Sequence, residues 1–234
     1  MLSIIIPTLN EEEHIERVLL DLRPQMKKED EILISDSRST DRTVEIAKKH
    51  GAQVLFPEEM GKGMACTVAA RASKNPVLVF LDADSQVPEG YLDKIREHFS
   101  DPELLVIGGL DLYSSESYAW KWTYDTYSRF IFLLAKANHL LTRECWVPSN
   151  NSAFRKDVFL DVGGYRSVIC EDSDLMKRFP KTRKIIYDND LRVTLSDRRF
   201  RQNGFFRTIA LWSWSNLNLF IGNKVDSGNY KKGY

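Results

Sequence analysis

The sequence predicts an α/β fold in which a mostly parallel central sheet is covered by helices on both faces. Over the first hundred residues, short apolar runs typical of strands alternate with segments of helical spacing, an order typical of parallel sheets. The apolar runs are nearly continuous rather than alternating with polar residues. Continuous runs are expected where a strand is buried on both of its faces.

The N-terminal half contains start and stop signals for each helix. We expect Asn10 to be the N-cap of the first helix, with Glu11 to Glu13 in the first turn, where the helix dipole favours acidic residues. Gly51 is typical of a residue that ends the second helix. Predicted strands cover residues 2–7, 31–36, 52–56 and 76–82, and predicted helices run from residue 10 to about 22, over 39–51 and over 61–73.

The pattern changes after about residue 110. Residues 117–141 form a long helical segment rich in aromatic side chains, for which we expect burial in the core. The alternative is that this segment contacts a lipid-linked acceptor or a dimer partner. A turn is expected at Gly163-Gly164 and a helix after Glu171. Strands are predicted at 184–188 and 191–195.

Composition excludes several classes of protein. The 33 basic residues equal the 33 acidic ones, and a nucleic-acid-binding protein usually has a basic surplus. The 3 cysteines are widely spaced, which disfavours a disulfide framework and a zinc site. We expect neither a signal peptide nor a membrane span, because the apolar runs are too short. We therefore expect a cytoplasmic protein, peripheral to the cytoplasmic membrane face in one alternative.

Two aspartates follow the fourth predicted strand, in the segment "FLDADSQVP". If the strand continues, Asp82 and Asp84 point to the same side, where the two carboxylates repel each other unless a cation is shared. Carboxylate oxygens are the ligands that Mg²⁺ and Mn²⁺ prefer. The competing interpretation is that Asp84 starts a turn. Both interpretations are open on this segment alone.

Polar residues also follow other predicted strands, at the edge where open parallel sheets bind ligands. Asp36 ends the second strand and could accept hydrogen bonds from a base or a ribose, whereas Ser39 to Asp41 are typical helix caps. Lys62 lies between two glycines that would allow close approach of a phosphate, although the spacing of a P-loop is missing. The sequence therefore predicts a nucleotide-binding edge.

A second acidic cluster lies in "CEDSDL" at 170–175. Its acidic residues are typical of the first turn of a helix. Glu171 or Asp172 is also a candidate for the base that a reaction removing a proton from a hydroxyl group needs.

Together these segments resemble glycosyltransferase family 2, the inverting nucleotide-sugar enzymes of the GT-A fold. "LSIIIPTLNEE" is similar to the family's first strand, "ILISDSRSTDRTVEIAKKHGAQV" to its second strand and helix, and "GKGMACTVAARAS" to its third block. "LVFLDADSQVP" is similar to the metal-binding strand end, and "SNNSAFRKDVFLDVGGYRSVICEDSDLMKRF" to the acceptor-side block. The similar segments span about residues 2–179, and their order and spacing are specific.

The resemblance implies a role for each candidate residue. It implies a metal-dependent hexosyltransferase that moves one sugar from a UDP- or GDP-sugar to a saccharide or lipid-linked acceptor, with Mn²⁺ or Mg²⁺ as cofactor. The implied base is Asp172, with Glu171 contacting the acceptor. Pro7, Glu11, Asp36, Lys62 and Asp82 are implied on the nucleotide side, and Asp84, with Asp82, at the metal.

The resemblance also implies the domain organisation. We expect a GT-A catalytic domain over 1–197, with a nucleotide-binding half at 1–110 and an acceptor half at 111–197. A basic and aromatic helical extension follows at 198–234. The Q-x-x-R-W motif of processive synthases does not occur, which favours transfer of a single sugar.

Two interpretations of the extension are open. In one, Arg198 and Arg199 contact the donor diphosphate or a lipid phosphate, and Trp212 and Trp214 lie at a bilayer interface. In the other, a C-terminal helix packs on the core and its arginines are solvated. A homodimer is left open as a further arrangement.

A polyprenyl-phosphate sugar transferase is a close variant of the leading hypothesis. Two other functions are less consistent with the residues. A nucleotidyltransferase would need a glycine-rich basic loop after the first strand, where this chain has the acidic "PTLNEEE". A non-catalytic nucleotide- or carbohydrate-binding module would not need the acidic residues that are present.

Overall fold

The computed structural model describes residues 1–59, 61–182 and 184–221. Within them, seven strands form one sheet in the order β3-β2-β1-β4-β6-β5-β7. All strand pairs are parallel except those of β6, which is antiparallel to both β4 and β5. The strands are β1 (Leu2–Thr8), β2 (Glu31–Asp36), β3 (Gln53–Leu55), β4 (Val77–Leu81), β5 (Val106–Ser114), β6 (Asn151–Arg155) and β7 (Ile185–Ser196).

Helices cover both faces of this sheet, as predicted. A short 3-10 turn (Arg23–Gln25) extends the first helix. The helices are α1 (Ile15–Leu22), α2 (Thr43–Lys49), α3 (Lys62–Ala72), α4 (Tyr91–His98), α5 (Tyr118–Thr142), α6 (Lys156–Asp161), α7 (Glu171–Arg178), α8 (Arg198–Asn203) and α9 (Phe205–Phe220).

The core has two parts because side chains alternate along each strand. Ile4 and Ile6 of β1 belong to the hydrophobic cluster on one face of the sheet, and Ile5 belongs to the cluster on the other. The second cluster contains Phe80 and Phe154, whose ring centroids are 5.9 Å apart in an edge-to-face arrangement. Burial on both faces explains why the strand segments are continuously apolar.

The prediction that Asn10 caps the first helix is wrong. α1 begins at Ile15, and Asn10 has a left-handed backbone with φ 55°. Its side-chain oxygen accepts a hydrogen bond from the backbone N–H of Thr40 at 2.8 Å, and its own N–H donates to Ser39 Oγ at 2.8 Å. Asn10 therefore joins the loops after β1 and β2 instead of starting a helix.

The two strands predicted at 184–188 and 191–195 are one strand, β7. Its pairing with β5 shifts register between Gly109 and Leu110, which accommodates the extra residues 189–191. An irregularity of this kind lets a strand remain in the sheet across a polar interruption.

Burial of the aromatic segment 117–141 in the core is also contradicted. α5 buries Tyr124, Phe132, Ala135 and His139. The side chains on its other sides are exposed, including Trp122 at 64% and Leu133 at 63%. α5 therefore carries apolar residues around most of its circumference but packs along only one side.

The C-terminal extension forms α8 and α9, which ends at Phe220, and packs on α5 through aromatic rings. Phe200 of α8 stacks on Tyr124, with ring centroids 4.6 Å apart, and Phe205 of α9 lies 5.4 Å from the same ring. Trp212 is half-buried against Phe200, with centroids 5.9 Å apart, whereas Trp214 is exposed. Residues 222–234 of the predicted extension lie outside the described residues.

Candidate active site

Polar side chains gather at the carboxyl ends of the parallel strands, as predicted. Loops after β1, β2 and β4 supply acidic residues, β5 supplies one from its second half, and α8 begins directly after β7. The starts of α3 and α7 close the same region, because a Cβ added at Gly63 would overlap the backbone oxygen of Arg166 and lie 3.0 Å from Glu171 Cβ. Only glycine allows this approach.

Asp36 is fully buried at the end of β2. Its Oδ2 accepts hydrogen bonds from Thr8 Oγ1 at 2.8 Å and from Ser39 Oγ at 2.6 Å, and its Oδ1 accepts one from the Ser39 N–H at 2.8 Å. These bonds tie the loop after β2 to β1, where Pro7 is half-buried. A role of Asp36 and Pro7 in binding a nucleoside stays a prediction.

Asp82 and Asp84 lie in a turn, because β4 ends at Leu81 and the Ser85 N–H donates to the Asp82 carbonyl oxygen at 3.1 Å. The turn keeps the two carboxylates near each other. Burial, together with the charge of Asp82, raises the pKa of Asp84 to about 6, against the opposing effect of Arg198. The two carboxylates therefore form a site that favours a cation.

Lys62 connects the two acidic groups that the sequence suggested separately. Its Nζ lies 2.7 Å from Asp82 Oδ1 and 3.9 Å from Glu171 Oε1. Glu171 Oε1 also accepts a hydrogen bond from Ser149 Oγ at 2.7 Å. The residues after β4 and the start of α7 thus belong to one site.

Asp172 is half-buried beside Glu171 in the first turn of α7. Burial, and then the charge of Glu171, raise the pKa of Asp172 to about 6. A carboxylate with such a pKa is a good general base near neutral pH. The third acid of this cluster, Asp174, has a different role, because its Oδ2 pairs with Arg178 Nη2 at 2.6 Å.

Arg198 lies in the site, at the start of α8. Its two terminal nitrogens donate to both carboxylate oxygens of Glu11, at 3.0 and 2.6 Å, and Nη2 lies 3.8 Å from Asp84 Oδ2. A bidentate pair of this kind holds both side chains in place. Arg199 lies near Cys170. Burial raises the pKa of the Cys170 thiol, and the charge of Arg199 has a smaller, opposing effect. Whether either arginine contacts a phosphate stays a prediction.

Asp111 was not among the predicted site residues. It lies in β5, and its Oδ2 accepts a hydrogen bond from Asn150 Nδ2 at 3.0 Å. Burial raises the pKa of Asp111 to about 7, and the charge of Asp82 adds to the increase. The signal in the sequence was a single acidic residue inside the apolar run "VIGGLDLY".

The residues present fit a divalent cation that receives part of its coordination from a substrate. Within the described residues, no group of three or more His, Cys, Asp or Glu side chains could hold a metal ion. Asp82 and Asp84 supply carboxylate oxygens only, which are hard ligands. Mg²⁺ and ions like it are commonly held by one or two carboxylates together with substrate phosphates.

Comparison with known families gives an independent assignment. The family model described as Glycosyl transferase family 2 matches residues 3–163, more than half of the chain. The chain belongs to glycosyl transferase family 2. The matched region contains the turn with Asp82 and Asp84 and ends before Glu171.

A curated relative matches a shorter segment. The dolichyl-phosphate hexose transferase of Haloferax volcanii is 37% identical over 107 residues, which are 46% of this chain and 46% of that protein. The chain thus spans about half the length of the curated relatives it matches.

Solved structures share the GT-A fold with this chain. Staphylococcus aureus TarS in complex with UDP has a TM-score of 0.65 at 21% identity, covering 86% of this chain and 62% of that one. Glucosyl-3-phosphoglycerate synthase from Mycobacterium tuberculosis, in complex with Mn²⁺ and UDP-glucose, has a TM-score of 0.65 at 19% identity, covering 92% and 78%. The mannosyltransferase PcManGT from Pyrobaculum calidifontis, in complex with GDP-Man and Mn²⁺, has a TM-score of 0.62 at 18% identity, covering 89% and 63%.

Proposed function

We propose that this chain is a metal-dependent inverting glycosyltransferase that moves one sugar from a UDP- or GDP-sugar to an acceptor hydroxyl group. The observation that carries the proposal is the position of Lys62 between Asp82 and Glu171. This contact brings the acidic pair at the end of β4 and the candidate base at the start of α7 to one place. A donor diphosphate and an acceptor could meet there.

On the donor side, Pro7, Glu11 and Asp36 bind the nucleoside, and Lys62 and Asp82 lie near the ribose and the diphosphate. Asp84, with Asp82, would hold Mn²⁺ or Mg²⁺. When bound, the cation supplies positive charge that stabilises the leaving nucleoside diphosphate. Names of similar structures include UDP, UDP-glucose and GDP-Man, and they support a nucleotide-sugar donor without selecting one.

On the acceptor side, Asp172 accepts the proton of the attacking hydroxyl group, and Glu171 orients that group. The acceptor oxygen forms a bond to the anomeric carbon as the bond to the diphosphate oxygen breaks. A single displacement from the face opposite the leaving group inverts the anomeric configuration. The raised pKa of Asp172 suits it to take the proton near neutral pH.

A second candidate is transfer to a polyprenyl phosphate at a membrane face. The matching relative from Haloferax volcanii is named a dolichyl-phosphate hexose transferase, and α5 and α9 of this chain expose large apolar side chains. A phosphate monoester is already largely ionised at neutral pH. Such an acceptor therefore depends less on a base than a hydroxyl group does.

The test is release of nucleoside diphosphate from UDP-glucose, UDP-GlcNAc and GDP-mannose with Mn²⁺, measured with either a sugar alcohol or a short polyprenyl phosphate as acceptor. Stimulation by one acceptor, together with a glycosylated product, supports the corresponding candidate. Absence of product with every donor, in protein whose melting curve is normal, would contradict both.

A further inference from the structure

α9 exposes large apolar side chains along one stripe. Its buried side chains include the small polar residues Thr208 and Ser215, whereas Phe206, Trp214 and Leu217 are exposed at 78%, 55% and 59%. At 100° per residue these three exposed residues lie within one stripe, opposite the buried polar pair. The helix thus exposes an apolar stripe, although Phe205 and Trp212 also pack inward on aromatic rings.

α5 also exposes large apolar side chains, although its buried side is apolar as well. Trp122, Phe130, Leu133 and Leu140 are all more than half exposed and lie on the side opposite the buried Tyr124 and Ala135. The two helices are neighbours, because the rings of Trp120 and Tyr127 of α5 lie 6.2 and 5.6 Å from Phe205 of α9. We call the exposed apolar side chains of α5 and α9 the apolar surface. An apolar surface this extensive on a folded chain marks an interaction site.

The charges around the apolar surface are positive. Residues 198–221 contain four arginines and no acidic residue. Arg198 pairs with Glu11 in the active site and Arg201 pairs with Asp197, whereas Arg207 of α9 is exposed beside the apolar surface. α5 and the residue after it contain one acidic residue, Asp125, and four basic ones, Lys121, Arg129, Lys136 and Arg143. Asp125 Oδ2 is paired with Lys121 Nζ at 2.6 Å. Tryptophan and tyrosine side chains, which favour the boundary between hydrocarbon and water, lie among the exposed residues.

We propose that the apolar surface docks on an anionic lipid bilayer, with the side chains of α5 and α9 entering the interface and the surrounding arginines and lysines facing the head groups. Apolar area combined with basic charge is what attaches an interfacial helix to anionic lipid. Within the described residues, no helix has the length and hydropathy that crossing a membrane requires, so the contact is peripheral.

Two other occupants fit the charges less well. A symmetric dimer would bring the same patch of two copies together, so that exposed basic side chains beside it, such as Arg129 and Arg207, would approach their copies. The single acid of α5, Asp125, is already paired with Lys121, and α8 and α9 contain none. Residues 222–234 are mostly polar, with Val225 as their single aliphatic side chain, and their composition does not match an apolar surface of this size.

The position of this surface gives it a role if the proposed function holds. α8 starts with Arg198 in the active site and continues to Phe200, which stacks on Tyr124 of α5. α8 thus runs from the active site to the buried side of α5, and α9, which carries part of the apolar surface, follows α8 directly in the chain. A bilayer docked on the apolar surface would bring a lipid-linked acceptor to the enzyme without withdrawing the acceptor's chain from the membrane.

The test is flotation of the full chain with phosphatidylcholine vesicles and with vesicles that contain about 30% phosphatidylglycerol. The variant Trp214→Ser/Leu217→Ser removes two exposed apolar side chains of α9, and Leu20→Ser/Phe56→Ser is the matched control, since those two residues are similarly exposed elsewhere. We expect the wild type and the control to float with the anionic vesicles and the α9 variant to partition about tenfold more weakly. Added salt should weaken the wild type's binding.

Flotation needs no turnover, so its outcome is independent of the proposed activity, which nucleotide release tests on the same preparations. Equal flotation of all three proteins, or none with either vesicle, overturns the proposal. A second copy would be the occupant if light scattering shows that the wild type is a dimer and the α9 variant a monomer, and if the wild type does not float. That result would overturn the proposal.

Discussion

At the residue scale, the proposed transfer depends most directly on Asp172. Asp172→Asn should lower kcat by about 100- to 10,000-fold, because a positioned general base contributes that much, while the KM for the donor changes little. The matched control is Asp161→Asn, an exposed aspartate at the end of α6 that should leave kcat unchanged. Steady-state kinetics with a hydroxyl acceptor measures both values, and an unchanged kcat in Asp172→Asn would remove the base from the proposal.

The pH profile gives a second test of the same group. Since burial and Glu171 raise the pKa of Asp172 to about 6, the basic form is lost as the pH falls through that value. We expect kcat to decline below about pH 6 in the wild type. The profile of Asp172→Asn should lack this step, and an identical step in the variant would assign it to another group.

Ionisation of Asp111 should lower the free energy of unfolding as the pH rises. Burial raises its folded-state pKa from 3.8 to about 7, so the folded protein holds this proton more tightly than the unfolded chain does between those values. Ionisation therefore costs stability as the pH increases through this window. Asp111→Asn removes the charge and keeps an oxygen that can accept from Asn150. Its melting temperature should exceed that of the wild type more at about pH 8 than at about pH 4.5; the reverse trend would contradict the assigned environment.

Sequence reasoning at this scale succeeded where neighbouring residues form a motif. Asp82 with Asp84, and Glu171 with Asp172, could be recognised because each pair is close in the chain. Contacts between distant residues left no such pattern: Arg198 and Glu11 are 187 positions apart, and Asp111 and Asn150 are 39 apart. Only the fold brings them together, so the roles of Asp111 and of the Glu11–Arg198 pair in shaping the site could not be predicted.

At the element scale, the approach of α3 to the start of α7 determines whether the site is assembled. Gly63→Ala should destabilise the protein by about 1–3 kcal/mol, since the new methyl group would push against the backbone of Arg166. Donor and acceptor sides would move apart, so activity should fall more than stability alone explains. Chemical denaturation and kinetics on the folded variant measure the two effects.

Gly90→Ala is the control for that variant. Gly90 has φ 79°, so alanine is strained there, but no atom lies within 4 Å of the added Cβ. It should cost stability without a specific loss of activity. An equal loss of activity in the two variants would mean that the contact between Gly63 and the α7 region has no particular role.

The predicted elements were correct where a periodic apolar pattern decides the structure. β1, β2 and β4 were predicted correctly because strands buried on both faces consist almost entirely of apolar residues. Asn10 was misassigned because its side chain bonds to the Thr40 backbone, a residue 30 positions away, instead of to its own helix. Periodicity also could not reveal that α5 packs along one side only, since its composition is apolar nearly all round.

At the scale of the whole molecule, one edge of the sheet combines the features that a sugar transferase needs. The carboxyl ends of the parallel strands bring acidic side chains from distant parts of the chain together, and α7 and α8 add the proposed base, Asp172, and Arg198. α8 begins at that edge and leads directly into α9, which carries part of the apolar surface. If this surface docks on a bilayer as proposed, the enzyme would meet its acceptor at a membrane.

The most direct measurement is the thermal stability of the wild type and of Asp84→Asn with UDP or GDP, each with and without Mn²⁺, with Asp161→Asn as control. A ligand at about 100 times its dissociation constant stabilises the folded state by about 2.7 kcal/mol. We predict stabilisation by one nucleotide that requires Mn²⁺, is lost in Asp84→Asn and is kept in the control. No stabilisation by either nucleotide, or an equal one in Asp84→Asn, would contradict a metal-dependent nucleotide site at the end of β4.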